Sequence, residues 1–276
     1  MANIQELRSI RSLEELYGYL DIPLADNEWG ILPIDFDQTL VQARPTLGDE
    51  HFYYFIKKLN EKIGINGDAH YEWTVKIRAK IPYETCEPVD KINRIISAFR
   101  QNGWSIKILT SRGEGMRDIT TDHLKQSGLD FSPEDIIFKT FKKDGSGKLL
   151  KKNESLIQWM KEQFQWSKCP RIRILFPDDS DQYCQEVARI ANDVEKATVT
   201  CFHYTGALPS PELSEVQMDQ LVVQLDAYQK GEQVPYEWNK ECLSIAMKSL
   251  SLQEVTSASL YAKMAEIAAR DNTPFK

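Results

Sequence analysis

The chain has 276 residues and a mass of 31.8 kDa, with 42% hydrophobic and 10% aromatic residues, enough for one large α/β domain or a medium domain with an appendage. A net charge of −7 argues against a general nucleic-acid binder, whose affinity rests on cationic neutralisation of phosphates. Five widely spaced cysteines lack metal-finger or C-x-x-C spacing, so they read as reduced thiols of a cytosolic-type environment.

No apolar run reaches membrane-spanning length, and the N-terminal stretch MANIQELRSIRSLEEL is charged throughout rather than signal-like. Expected locations are therefore the cytoplasm, or the inside of a host cell reached without an N-terminal signal peptide. Leu7, Ile10, Leu13, Leu16 and Leu20 recur at helical spacing, and Ser12 with Glu15 forms a capping box, which predicts one broken or two short helices over 4–20. The apolar run Ile31–Asp35 predicts a buried strand. From about Val41 to Glu87 the pattern is interrupted by two helix-like segments, 50–63 and 68–80, separated by Gly64 and Gly67. This stretch reads as an insertion capping the end of the first strand.

Regular alternation begins after Pro88. Helix Val89–Gln101 precedes strand Ser105–Leu109; helix 116–127 stops at Gly128 and precedes strand Ile136–Lys139; helix Asn153–Phe164 precedes strand Arg171–Phe176; helix 181–192 precedes strand Ala197–Tyr204. Strands alternating with helices of ten or more residues predict a doubly wound, Rossmann-like parallel sheet with helices on both faces. From Pro209 the pattern is helical only. Ser214/Gln217 and Ser251/Glu254 have capping-box spacing, and ten acidic residues against six basic ones argue against attraction to an anionic membrane. The expected organisation is a core at 1–208, with the cap insertion at about 41–87, and a helical C-terminal extension at 209–276 whose partner the sequence does not name.

Three predicted strands end in reactive polar residues. The first ends Asp35-Phe36-Asp37-Gln38-Thr39, the second Thr110-Ser111-Arg112-Gly113, and the fourth Pro177-Asp178-Asp179-Ser180-Asp181. A lysine cluster (Lys139, Lys142, Lys143, Lys148, Lys151, Lys152) lies between the last two. In a parallel sheet these ends share one edge, where such folds bind ligands. Two carboxylates separated by one residue are costly to leave uncompensated, which points to a divalent cation and to chemical use of one of them. Taken singly, each fragment has an ordinary explanation: Asp favours turns, the Asp178–Asp179 pair suits a helix N-terminus, and lysines suit a solvated loop. Gly145-Ser146-Gly147-Lys148 lacks the spacer and the Ser/Thr of a nucleotide-binding P-loop, and the four histidines show no zinc-ligand spacing.

Together, DFDQTL (35–40), KILTSR (107–112), Lys151 or Lys152, and FPDDSD (176–181) resemble the four motifs of the haloacid dehalogenase-like (HAD) superfamily, in its phosphatase branch, over about residues 28–205. The resemblance implies a Mg²⁺-dependent phosphomonoester hydrolase. Asp35 would be the nucleophile forming an aspartyl phosphate, and Asp37 the acid and base; a second Asp at that position separates phosphatases from dehalogenases. Thr110 and Ser111 would bind phosphoryl oxygens, with Lys152, or less favourably Lys151, as the neutralising lysine. Asp35, the Asp37 backbone carbonyl and Asp178 would ligate the metal, with Asp179 behind them or bound through water. Gln38 departs from the pattern, because the family carries a smaller residue there. The insertion's size resembles small caps that leave the site open to extended or macromolecular phosphoesters, and its aromatics (Phe52, Tyr53, Tyr54, Phe55, Tyr71, Trp73) read either as a stacking surface or as helix-packing core. The layout also resembles a group of bacterial phosphotyrosine phosphatases of this family that act as secreted effectors and carry a helical C-terminal extension. The expected partner is then a phosphorylated substrate, such as a phosphoprotein. A small-molecule phosphatase such as a nucleotidase, a mutase, and a weakly active partner-binding module remain the alternatives.

Overall fold

The computed structural model describes residues 5–43, 78–79, 83–142 and 148–207. Nearly all belong to one compact unit, Met1–Gln42 with Glu84–Leu208. The expected cap helices at 50–63 and 68–80 and the C-terminal helices lie outside the described residues, apart from positions 78–79.

A six-stranded parallel sheet organises the unit. Its strands are β1 (Gln5–Ile10), β2 (Glu28–Ile34), β5 (Ser105–Gly113), β6 (Ile136–Lys139), β7 (Arg171–Asp178) and β8 (Ala197–Tyr204), in the order β1-β8-β7-β2-β5-β6. Two short strands, β3 (Val41–Ala43) and β4 (Tyr83–Thr85), pair separately, and the Gln42 amide donates to Glu84 across them at 3.1 Å. The central strand β2 is buried from Trp29 to Ile34, as a strand covered on both faces requires. The chain runs outward from β2 through β5 to β6, then crosses back to β7 and continues to β8. β2 and β7 therefore flank the point where the winding reverses, and a crevice opens at their C-terminal ends.

Both faces are covered. On one, helix α1 (Val89–Gln101) buries Ile92, Ile95, Ile96 and Phe99, the 3.6-residue stripe expected of it, and packs on β5 and on the 3₁₀ helix Leu13–Tyr19. Each of these side chains contributes about 2 kcal/mol by leaving water. The other face is a single core that joins Ile31, Leu109, Ile172, Ile174 and Val199 of the sheet to Leu156 and Met160 of α3 (Lys152–Glu162), Val187 of α5 (Asp181–Ala188) and Ile190 of α6 (Ile190–Asp193). Two further α-helices among the described residues are α2 (Arg117–Ser127), which ends on Gly128 at φ 72°, and the short α4 (Phe164–Lys168).

The N-terminal segment differs from the sequence expectation. Gln5–Ile10 is a parallel edge strand against β8, with Leu7 opposite Cys201 and Ile10 opposite Tyr204, while only Leu13–Tyr19 is helical. A three-residue separation puts Leu7 and Ile10 on one side of a helix but on opposite faces of a strand. Accordingly Ile10 is 5% exposed and Leu7 45%. Hydrogen bonding to the open edge of β8 outweighs the local helical pattern. The capping box is present as expected, with Ser12 accepting from Glu14 N–H at 3.1 Å and Glu15 accepting from Ser12 N–H at 3.2 Å.

Glu87, unremarked in the sequence, ties this face together. Its carboxylate accepts from Leu13 N–H (2.7 Å), Ser12 Oγ (2.9 Å), Tyr204 Oη (3.1 Å) and Lys91 Nζ (2.9 Å), joining the 3₁₀ helix, α1 and the end of β8. Burial alone would raise its carboxyl, but the Leu13 N–H, Lys91 and Ser12 hold it below the ordinary glutamate range.

Candidate active site

Strand register brings the motifs together. Ile31 stands opposite Ile174, so four residues on, Asp35 leaves β2 level with Asp178 at the end of β7, and Asp35 N–H donates to Pro177 C=O at 3.1 Å. On the other side Ile34 pairs with Ile108, which places Thr110 two residues past the last β2 pair. The turn after Asp35 is closed by Leu40 and Val41 N–H groups on Phe36 C=O (3.1 and 3.0 Å) and by Gln38 N–H on Val41 C=O (2.7 Å). Gln38 sits at φ 63°, the left-handed region that costs a side-chain-bearing residue about 1–2 kcal/mol. That conformation favours glycine, which lacks the Cβ that makes it costly.

At the centre, Lys152 is fully buried at the first turn of α3. Its ammonium donates to Asp35 Oδ1 and, at 2.6 Å, to Asp178 Oδ2. It also lies 4.4 Å from the Tyr183 ring centroid. Lys151, the competing candidate, is 55% exposed and lies 3.8 Å from Glu186. Lys152 is therefore the lysine that the fold brings to the motif carboxylates. Asp178 Oδ1 accepts from Ser180 N–H at 2.8 Å, and Thr39 Oγ1 bridges the two strand ends by donating to Asp35 Oδ2 (3.3 Å) and accepting from Asp179 N–H (3.1 Å). The Asp179 carbonyl faces His203 Nε2 at 3.0 Å.

One carboxylate oxygen from each of Asp35, Asp178 and Asp179 lies within 4.8 Å of the others, a group able to hold a metal ion. All three are hard oxygen donors, which suit Mg²⁺ or a similar divalent cation. Burial pushes the Asp35 carboxyl up to about 7, against the pull of Lys152, with Asp178 and Asp37 adding to the rise. Burial opposes charge on Lys152 too, but Asp178 and Asp35 hold its ammonium well above the usual lysine range.

Asp37 occupies different surroundings. Its carboxylate is gripped by Arg112, with Nε donating to Oδ2 at 2.8 Å and Nη2 to Oδ1 at 2.7 Å. It is not one of the three grouped carboxylates; its expected ligand atom is the main-chain carbonyl. Thr110 is fully buried, and its Oγ accepts from Arg112 N–H at 3.1 Å; its own O–H proton has no acceptor among the described residues. Ser111 is half-buried beside it.

Sequence reasoning missed Arg112, His123 and Thr120 as parts of one network. Arg112 was present in the TSR segment, but its pairing with Asp37 depends on strand neighbours 75 residues apart. His123 and Thr120 carried no recognisable spacing.

The described unit is thus a parallel α/β sheet with a carboxylate–lysine cluster at its winding reversal. No protein-family model matches the chain, and no curated protein matches it. Among solved structures it is similar to a class C acid phosphatase from Bacillus anthracis with tungstate bound, at 13% identity and a TM-score of 0.37, over 88% of this chain and 86% of that one.

Proposed function

We propose that the protein is a divalent-metal-dependent phosphomonoester hydrolase of the HAD type, working through an aspartyl phosphate on Asp35. The observation that carries this reading is the buried Lys152 ammonium shared by Asp35 and Asp178, beside an Asp35–Asp178–Asp179 oxygen group. A bare carboxylate repels a phosphate, so a nucleophilic aspartate needs positive charge around it. When bound, the cation supplies charge that keeps Asp35 ionised and offsets the phosphoryl oxygens.

Asp35 Oδ attacks phosphorus as the ester P–O bond breaks, and Asp37 passes a proton to the departing oxygen. Asp37, now a carboxylate, takes a proton from water as that water attacks phosphorus. The Asp35–phosphorus bond then breaks, releasing inorganic phosphate and regenerating both aspartates. Lys152 and the Thr110 O–H stabilise the oxygens of the transferring group. Asp35, Asp178 and Asp179, with the main-chain carbonyl of Asp37, would hold Mg²⁺. Within this reading the finer assignment is a protein phosphotyrosine substrate; the cap aromatics that bear on it lie outside the described residues.

The test is phosphate release from p-nitrophenyl phosphate with Mg²⁺ and with EDTA, followed by a panel of phosphotyrosine peptides, nucleotides and sugar phosphates. Activity is expected only with the metal, and Asp35→Asn is expected to abolish it while the chain keeps its fold, read by circular dichroism. Near wild-type turnover in that variant refutes the nucleophile assignment.

A further inference from the structure

The geometry points to Arg112 as the positioning residue for Asp37, setting the acid–base carboxylate from helix α2; this rests on the phosphatase reading above. Arg112 leaves the C-terminal end of β5 and is 3% exposed. Its guanidinium makes a two-point fork on the Asp37 carboxylate, at 2.8 and 2.7 Å. The remaining edge is held from α2: Nη1 donates to Thr120 Oγ1 at 3.0 Å and faces His123 Nδ1 at 3.1 Å. Because arginine only donates, that His123 nitrogen is the acceptor and its proton resides on Nε2. Thr120 is itself fixed, donating to Met116 C=O at 2.8 Å. The Phe36 ring closes one side of the guanidinium at 4.5 Å.

Phe36 lies between the two aspartates in sequence, so the same turn that presents Asp35 also supports the arginine. A fork of two parallel hydrogen bonds sets the plane of a carboxylate as well as its position, which a lysine point charge cannot do. Stability alone does not call for this arrangement, since buried ion pairs are often matched or bettered by apolar side chains of similar volume. The loss of one correctly aimed acid is felt in proportion to how badly the leaving group needs a proton.

The experiment compares wild type, Arg112→Lys and Thr120→Val, with Mg²⁺, on a series of monoesters running from p-nitrophenyl phosphate through phenyl phosphate to an alkyl phosphate. Arg112→Lys is expected to lower kcat on the alkyl ester by about 10²-fold but on p-nitrophenyl phosphate by less than about tenfold, with KM little changed. Thr120→Val, which loosens Arg112 from α2 and leaves the ion pair in place, is expected to show the same tilt at several-fold size. Adding Arg112→Lys to Asp37→Asn is expected to cost little more on the alkyl ester, because the two act as one unit. Uniform losses across the series, or losses that multiply in the double variant, overturn the positioning role. If Arg112→Lys fails to fold, a flat profile in Thr120→Val overturns it equally. A wild-type chain inactive on every ester sinks the phosphatase reading and this role together, whereas an active wild type with a flat leaving-group profile in the variants sinks this role alone.

Discussion

Replacing Lys152 with methionine keeps the bulk of its stem and removes a charge that two buried carboxylates share. The Asp178 contact at 2.6 Å corresponds to a gross attraction on the order of 6 kcal/mol at an effective dielectric constant near 20. Because all three groups have already lost their hydration, removing one cation leaves uncompensated negative charge, and the expected loss of stability is about 3–5 kcal/mol. At about 2–4 °C per kcal/mol for a unit of this size, that is a fall of roughly 10 °C in Tm. The sign of its pH dependence follows from Asp35. In the metal-free wild type its carboxyl is raised to about 7, so the associated stability is present below the ordinary carboxylate range and lost as pH rises through about 7. Without Lys152 the carboxyl rises further, so the deficit of the metal-free variant is expected to be larger at pH 8 than at pH 5.5. Saturating Mg²⁺ is expected to restore part of it, about 2.7 kcal/mol at a hundred times the Kd. Adding Asp178→Asn is expected to recover stability by removing one of the stranded charges. Thermal melts in EDTA at the two pH values, then with Mg²⁺, read all of this. A variant melting within about 2 °C of wild type throughout refutes the account of Lys152 as the charge-compensating centre.

Asp178→Asn is expected to weaken Mg²⁺ at least tenfold while moving substrate KM less; a metal titration of activity that superimposes on wild type removes Asp178 from the ligand set. Glu87→Gln is expected to cost about 2–3 kcal/mol, because it discards the charge that four donors converge on. Since the Glu87 carboxyl is held low in the folded chain, its contribution is present above the ordinary glutamate range and lost as pH falls through the lowered value. Acid denaturation of Glu87→Gln is therefore expected to be shallower than that of wild type, and an identical acid limb tells against the assignment. Gln38→Gly is expected to raise stability by up to about 1 kcal/mol, by relieving the left-handed backbone at φ 63°. A fall in Cm for chemical denaturation shows instead that the glutamine side chain supports the turn.

Much of the architecture was legible in the chain because its helices and strands obey their own periods. Val89–Gln101 and Ala197–Tyr204 form over the residues the pattern indicated, and Gly128 ends its helix in the left-handed conformation that glycine tolerates. Strand limits were less legible. β5 and β7 run on to Gly113 and Asp178, past the apolar residues that mark their middles, because pairing in the sheet holds the polar ends extended. Gln5–Ile10 was misread because a leucine–isoleucine spacing of three suits a helix, while the partner that makes it a strand lies almost two hundred residues away.

The sequence by itself determined which groups are available: acidic strand ends, a threonine, a run of lysines, and the period-two and period-3.6 patterns that fold into a parallel sheet. The tertiary structure alone decided which of them meet. It buried Lys152 and left Lys151 half in water, placed Asp35 level with Asp178, and assigned Asp37 to Arg112. The physical reason is that local propensity acts over a few residues, whereas the register between neighbouring strands, set by burying one face of each, fixes the distances between carboxylates and cations far apart in the chain.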